Sequence, residues 1–127
     1  MVGAKERGFR ELLVWRQAMD LARDCYFLTK KLPREELYGL TSQIRRAAVS
    51  VPANIAEGNG RGTRKDYVSF LRIAQGSLRE VETYLILIVE IRLAQQEVVS
   101  PLLAQVGSVA RLLSRLIQSL LPNPLTP

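Results

Sequence analysis

The sequence contains no histidine and a single cysteine, Cys25. Without histidine, the chain lacks the usual proton shuttle near neutral pH and the commonest zinc ligand. One thiol cannot form an internal disulfide or a thiolate metal cluster. These absences predict a protein that is not an enzyme and that uses no metal or cofactor.

The chain also has no long apolar run. Its longest stretches without a charged side chain, residues 98–110 and 116–127, are shorter than the roughly 18 apolar residues of a membrane span. Residues 1–16 carry cations and two glutamates without an apolar segment, unlike a secretory signal. We therefore expect no membrane contact and a cytoplasmic location, where one unpaired cysteine is ordinary.

What the sequence does have is moderate apolar content and an excess of positive charge. Its 127 residues are 47% hydrophobic and carry 18 Lys+Arg against 12 Asp+Glu, a formal net charge of +6. This size and composition fit one globular domain. We expect the folded domain over residues 9–121, with disordered tails over residues 1–8 and 122–127.

Apolar residues recur with helical periodicity in four segments, and no segment alternates like a half-buried strand. The first segment ends near Pro33 and carries two apolar lines, one through Trp15 and Tyr26 and the other through Val14 and Cys25. We interpret Trp15 and Tyr26 as core residues. The apolar arc is wider than one neighbouring helix requires. We expect self-association through the surplus apolar surface of helices one, three and four.

The second segment runs from about Thr41 to Glu57, and Gly58 is placed to act as its C-terminal cap. It contains Pro52, which removes a backbone hydrogen bond and clashes with the preceding turn. The sequence therefore predicts either a kink near residues 48–51 or a helix in two pieces.

The third segment begins at Thr63, whose hydroxyl can cap a helix, and continues through the apolar stretch 84–89. The fourth begins between Glu97 and Pro101 and keeps a regular apolar seam. Short connections between four such segments predict an all-α fold, an antiparallel up-down-up-down four-helix bundle with helix two kinked near Pro52.

The positive charge is concentrated in residues 37–79, which hold seven Lys+Arg minus two Asp+Glu, or +5 of the net +6. Three of these cations repeat every seven residues along helix three. Clustered Arg and Lys suit phosphate backbones. The candidate nucleic-acid-binding residues are Arg45, Arg46, Arg61, Arg64, Lys65, Arg72 and Arg79.

Two interpretations of these features stay open. The basic face can equally be a solvated, salt-bridged surface, because Glu57, Asp66, Glu80 and Glu82 are nearby in sequence. The glycine-rich turn 58–63 could hold a phosphate at a helix N-terminus, or its glycines could simply form a tight turn. An enzyme acting on phosphate esters there would need a base or metal that the sequence does not provide.

Three strings in the chain carry a family resemblance: LVWRQAM at residues 13–19, YGLTSQIRRAAVSVPANIAEG at 38–58 and FLRIAQGSLRE at 70–80. Over residues 9–92 the chain resembles bacterial four-helix-bundle proteins encoded within intervening sequences of 23S ribosomal RNA genes. That family is similar in fold to the accessory protein of diversity-generating retroelements. The resemblance implies a ring-shaped homopentamer that binds nucleic acid or a reverse transcriptase. Helix four departs from the family pattern, which is richer in Lys and Glu.

These observations predict a non-enzymatic oligomeric adaptor that binds an RNA or DNA backbone through a basic surface on helices two and three. The alternative is a protein-interaction hub that makes no direct contact with nucleic acid. In that case the partner presents an acidic or apolar surface, and the positive charge serves solubility.

Overall fold

The computed structural model describes residues 8–122. They form four α-helices and two short 3-10 helices at Phe9–Glu11 and Arg34–Glu36, with no strand in this part of the chain. The all-α four-helix prediction is confirmed. Apart from Gly8 and Pro122, the predicted disordered tails lie outside the described residues. The helices are α1 (Leu13–Thr29), α2 (Leu40–Asn59), α3 (Arg64–Glu90) and α4 (Gln96–Leu120).

Each helix packs mainly against two others: α1 against α2 and α4, and α3 against α2 and α4. Hydrogen bonds between α2 and α3 join Ser50 to Ser77 and Asn59 to Tyr67. The later residue of α2 thus pairs with the earlier residue of α3, as in antiparallel neighbours. The fully buried side chains at the centre include Leu21, Ile44, Ile55, Leu71, Leu85, Ile88 and Leu113.

Only one of the two apolar lines on α1 faces the centre of the bundle. Val14 and Cys25 are buried, whereas Tyr26 is 39% exposed. Trp15 is half-buried and packs edge-on against Phe9, with 5.2 Å between the ring centroids. The interpretation of Tyr26 as a core residue is therefore wrong, because its line lies at the side of α1 that borders α2.

The helix α2 runs without interruption through Pro52 and ends at Asn59, with Gly60 as its C-cap. A helix in two pieces is not formed, and the kink stays a prediction. The predicted role of Gly58 as a cap is wrong. Gly58 lies inside α2 where α3 approaches closely, and a Cβ atom there would stand 2.8 Å from the Cβ of Phe70.

The predicted start of α3 is confirmed, because the backbone N–H of Asp66 donates to Thr63 Oγ1 at 3.1 Å. The helix α4 begins at Gln96, one residue before the predicted range. Within residues 8–122, no helix combines the length and the apolar content that crossing a membrane requires.

Candidate nucleic-acid interface

The two candidate arginines of α2 have different surroundings. Arg45 is half-buried and bridges α2 to α1: its Nε donates to Thr29 Oγ1 at 2.8 Å, and its guanidinium lies 4.8 Å from the centre of the Tyr26 ring. Arg46 is exposed and donates to Gln43 Oε1 at 2.6 Å. Arg45 thus contacts α1 through its guanidinium group, whereas Arg46 faces solvent.

The glycine-rich turn holds its arginine against the protein. Arg61 lies 3.2 Å from a carboxylate oxygen of Glu57, and its guanidinium stacks 4.9 Å from the centre of the Phe70 ring. Of the glycines, Gly58 permits the close approach of α3 and Gly60 caps α2. Helix packing and capping therefore account for these two glycines without a bound phosphate.

The cations of α3 divide into paired and unpaired residues. Arg79 forms a salt bridge of 2.8 Å with Glu82. Arg64, Lys65 and Arg72 are exposed, and within residues 8–122 no carboxylate lies at salt-bridge distance from any of them. The salt-bridged interpretation of the basic face thus applies to Arg61 and Arg79 but not to Arg64, Lys65 or Arg72.

The structure also adds two cations that the sequence analysis missed, Arg111 and Arg115 of α4. Both are exposed, and neither has a carboxylate at salt-bridge distance in the described part of the chain. They lie on the helix that packs beside α3. The net charge of their chain segment does not indicate them, because residues 80–127 hold three cations against four acids. The predicted antiparallel bundle does contain the signal, because α3 and α4 are neighbours in it and the second half of α4 lies beside the basic half of α3.

Among residues 8–122, burial perturbs two titratable groups, both outside the cationic surface. Desolvation, with a smaller effect from the Asp24 charge, raises the pKa of the Cys25 thiol to about 12. Burial also raises the pKa of Tyr67, against the opposing hydrogen bond from Asn59. The Cys25 thiol therefore stays protonated near neutral pH and is not a ready nucleophile.

A second surface feature is an apolar groove of about 360 Å³ between α1 and α2. Exposed parts of Met19, Tyr26 and Val49 line it. The sequence predicts surplus apolar surface on helices one, three and four, whereas this groove lies between α1 and α2. The remaining lining residues are Trp15, Ala22, Arg23, Pro52, Ala53 and Ala56.

Together, the fold and these surfaces define a small, basic, all-helical bundle with an unpaired cationic face. The chain belongs to the 23S rRNA-intervening sequence protein family, whose family model matches residues 10–115. The match extends the resemblance, expected over residues 9–92, through most of α4.

A solved structure shares this fold. It is a protein of unknown function from the S23 ribosomal protein family of Bacteroides thetaiotaomicron, 25% identical in sequence, with a TM-score of 0.78. The similarity covers 84% of the present chain and 99% of the other. Among curated proteins, none matches this chain.

Proposed function

We propose that this protein is a non-enzymatic, oligomeric adaptor that binds the phosphate backbone of RNA or DNA through a basic surface on α2 and α3. The observation that carries the proposal is the exposure of Arg64, Lys65 and Arg72 without a carboxylate at salt-bridge distance in residues 8–122. Such cations neutralise phosphates without first giving up an ion pair. The exposed Arg46 adds to this surface.

Self-association is part of the proposal, and the family resemblance implies a homopentamer. The groove between α1 and α2 supports it, because Met19, Tyr26 and Val49 are 36%, 39% and 42% exposed. Burying such a groove between copies removes apolar surface from water. A ring also multiplies the number of cations that one nucleic acid meets. A reverse transcriptase partner and a cytoplasmic location are further expectations of this proposal.

The same groove favours one alternative, a protein-interaction hub. In this case an apolar surface of another protein fills the groove, and the unpaired cations keep the protein soluble. Capture of a partner that survives nuclease treatment, together with an absence of nucleic-acid binding, would favour the hub over the adaptor.

The adaptor is tested by gel-shift titrations with a structured RNA and a duplex DNA at about 50 and 200 mM salt. If three phosphates of duplex DNA are neutralised per protomer, the affinity is expected to fall about fortyfold between these concentrations. An absence of salt-sensitive binding at micromolar protein would contradict nucleic-acid binding.

A further inference from the structure

We infer that the phosphate backbone is bound where α3 lies beside α4, and that Arg111 and Arg115 complete the binding surface. This inference rests on the proposed function and deepens it by extending the basic surface from α3 onto α4. The α3/α4 basic face, as we call it, consists of Arg64, Lys65, Arg72, Arg111 and Arg115.

Two grooves fix the register between the helices. Near the start of α3, Arg64 and Lys65 line a groove with Leu120 and Leu121 at the end of α4. Further along, α3 and α4 border a second groove, whose lining includes Gln75, Gly76, Arg79, Ala110 and Ser114. Residues 64–79 of α3 therefore lie alongside residues 110–121 of α4, and Arg111 and Arg115 fall within that stretch.

Arg111 and Arg115 both lie on the exposed outer surface of α4. Ala110 and Ser114 line the groove with α3, and each is followed by an arginine about 100° further round the helix, on the side away from that groove. Arg111 reaches back along α4, since a Cβ atom at Gly107 would lie 3.4 Å from its Nη1. On α3, Arg72 lies one heptad from both Lys65 and Arg79, which line the two grooves. The cations thus form one row on the outer surface of each helix.

Charge is segregated along both helices. Residues 64–79 of α3 hold four cations and one acid, whereas residues 80–90 hold three acids and no cation. In α4, the acid Glu97 lies in the first turn and both arginines lie in the second half. Because the helices are antiparallel, the two basic halves meet at the end of the bundle near the α2–α3 turn, and the acids lie towards the other end.

This arrangement suits a polyanion better than the α2 surface does. Helix axes in contact are about 8–10 Å apart, so a phosphate backbone lying across the outer surfaces of α3 and α4 can contact both rows of cations. In contrast, Arg45 is hydrogen-bonded to α1, and Arg61 contacts Glu57 and Phe70. No acid of residues 8–122 forms a salt bridge with any cation of the α3/α4 basic face.

The test compares two double variants of the full chain with the same change in net charge. The first, Arg111→Gln with Arg115→Gln, removes the α4 row of cations. The control, Lys31→Gln with Arg34→Gln, removes two exposed cations from the connection between α1 and α2. Glutamine keeps nearly the helix propensity of arginine. Binding to labelled RNA and DNA duplexes is followed by fluorescence anisotropy over a range of salt concentrations.

We expect the α4 variant to raise the Kd for duplex DNA at least tenfold and to reduce the slope of log K against log salt by about 1.8, or about 0.9 per lost phosphate contact. The control is expected to change the Kd less than about threefold, as is Arg111→Lys with Arg115→Lys, which keeps the charge. Circular dichroism checks folding. If the double variant is unfolded, Arg115→Gln alone should reduce the slope by about 0.9.

Two results would overturn the inference in different ways. If the protein binds but the α4 variant and the control weaken binding equally, net charge alone matters, and the proposed function survives without this surface. If the unmodified protein shows no salt-sensitive binding, the proposed function itself fails.

Discussion

At the scale of single residues, Cys25 shows what burial does to a titratable group. Its side chain has no exposed surface, and it packs among the core residues of the bundle. Desolvation, helped by the Asp24 charge, raises the thiol pKa from 9.0 to about 12. The ionised form is therefore disfavoured in the folded state but free to form in the unfolded chain.

This difference predicts a loss of stability at alkaline pH. Between pH 9 and about 12, the unfolded thiol ionises while the folded thiol stays protonated, so unfolding releases a proton and the free energy of unfolding falls as pH rises. The fall is up to about 1.4 kcal/mol per pH unit, or about 1.6 kcal/mol from pH 9 to 10.5. Over this pH range, the free energy of unfolding measured in urea should fall by this amount more for the unmodified protein than for Cys25→Ala. Parallel pH profiles would show that Cys25 is not responsible.

Single residues also show where sequence reasoning succeeds. Thr63 was predicted as a cap because the motif is local, with donor and acceptor three residues apart. Tyr26 was assigned wrongly because two neighbouring apolar lines on α1 look alike in sequence, and only the positions of α2 and α4 decide which one is buried. The contact of Arg45 with Tyr26 depends on the same packing.

At the scale of helices, α2 and α3 approach each other closely at Gly58. A Cβ atom there would lie 2.8 Å from Phe70 Cβ and 3.1 Å from the carbonyl oxygen of Tyr67. Backbone atoms cannot move aside as the end of a side chain can, so the helices would have to separate. Periodicity could not predict this use of Gly58, because it depends on the distance to another helix.

Gly58→Ala is therefore expected to destabilise the protein by about 1–3 kcal/mol through overpacking. Gly76→Ala provides the matched control, since Gly76 lies within α3 with no atom within 4 Å of a built Cβ. The control should gain about 0.5–1 kcal/mol from helix propensity. Chemical denaturation of both variants measures the change in the free energy of unfolding. The close approach would be contradicted if Gly58→Ala were as stable as the unmodified protein, or if both variants changed this free energy by the same amount.

The pairing of helices also explains how much of the candidate site was predictable. The heptad of Lys65, Arg72 and Arg79 was visible in the sequence, and the structure keeps these residues on one side of α3. Arg111 and Arg115 were not recognised, because α4 is distant in sequence and contains few charges. Antiparallel packing of α3 on α4 brings them together with the basic half of α3.

At the scale of the whole molecule, the unpaired cations and the apolar groove occupy different parts of the surface. The α3/α4 basic face lies along two helices, while the groove lies between α1 and α2. In a ring, the groove of one copy packs against a different surface of the next copy. If that surface lies outside the α3/α4 basic face, the face of each copy stays open to solvent. Several copies then offer one nucleic acid several binding surfaces, which raises the apparent affinity without any new contact.

This arrangement gives the last prediction, on assembly. Val49 lines the groove and is 42% exposed, and Leu37 has nearly the same exposure, 43%, but does not line it. Val49→Asp is expected to convert an oligomer into monomers, because a carboxylate buried between copies has no partner there. Leu37→Asp should leave the oligomer intact, as measured by sedimentation velocity at micromolar protein.

The outcomes separate the two parts of the assembly proposal. A monomeric unmodified protein would contradict self-association, and an oligomeric Val49→Asp would place the contact between copies outside the groove. If Val49→Asp is monomeric and folded, its α3/α4 basic face is unchanged but is no longer repeated within one particle. Its affinity for a long duplex should then fall, by about tenfold or more, while its affinity for a duplex that spans only one protomer stays the same. Equal losses on both duplexes would show that the Val49 surface itself contacts the nucleic acid.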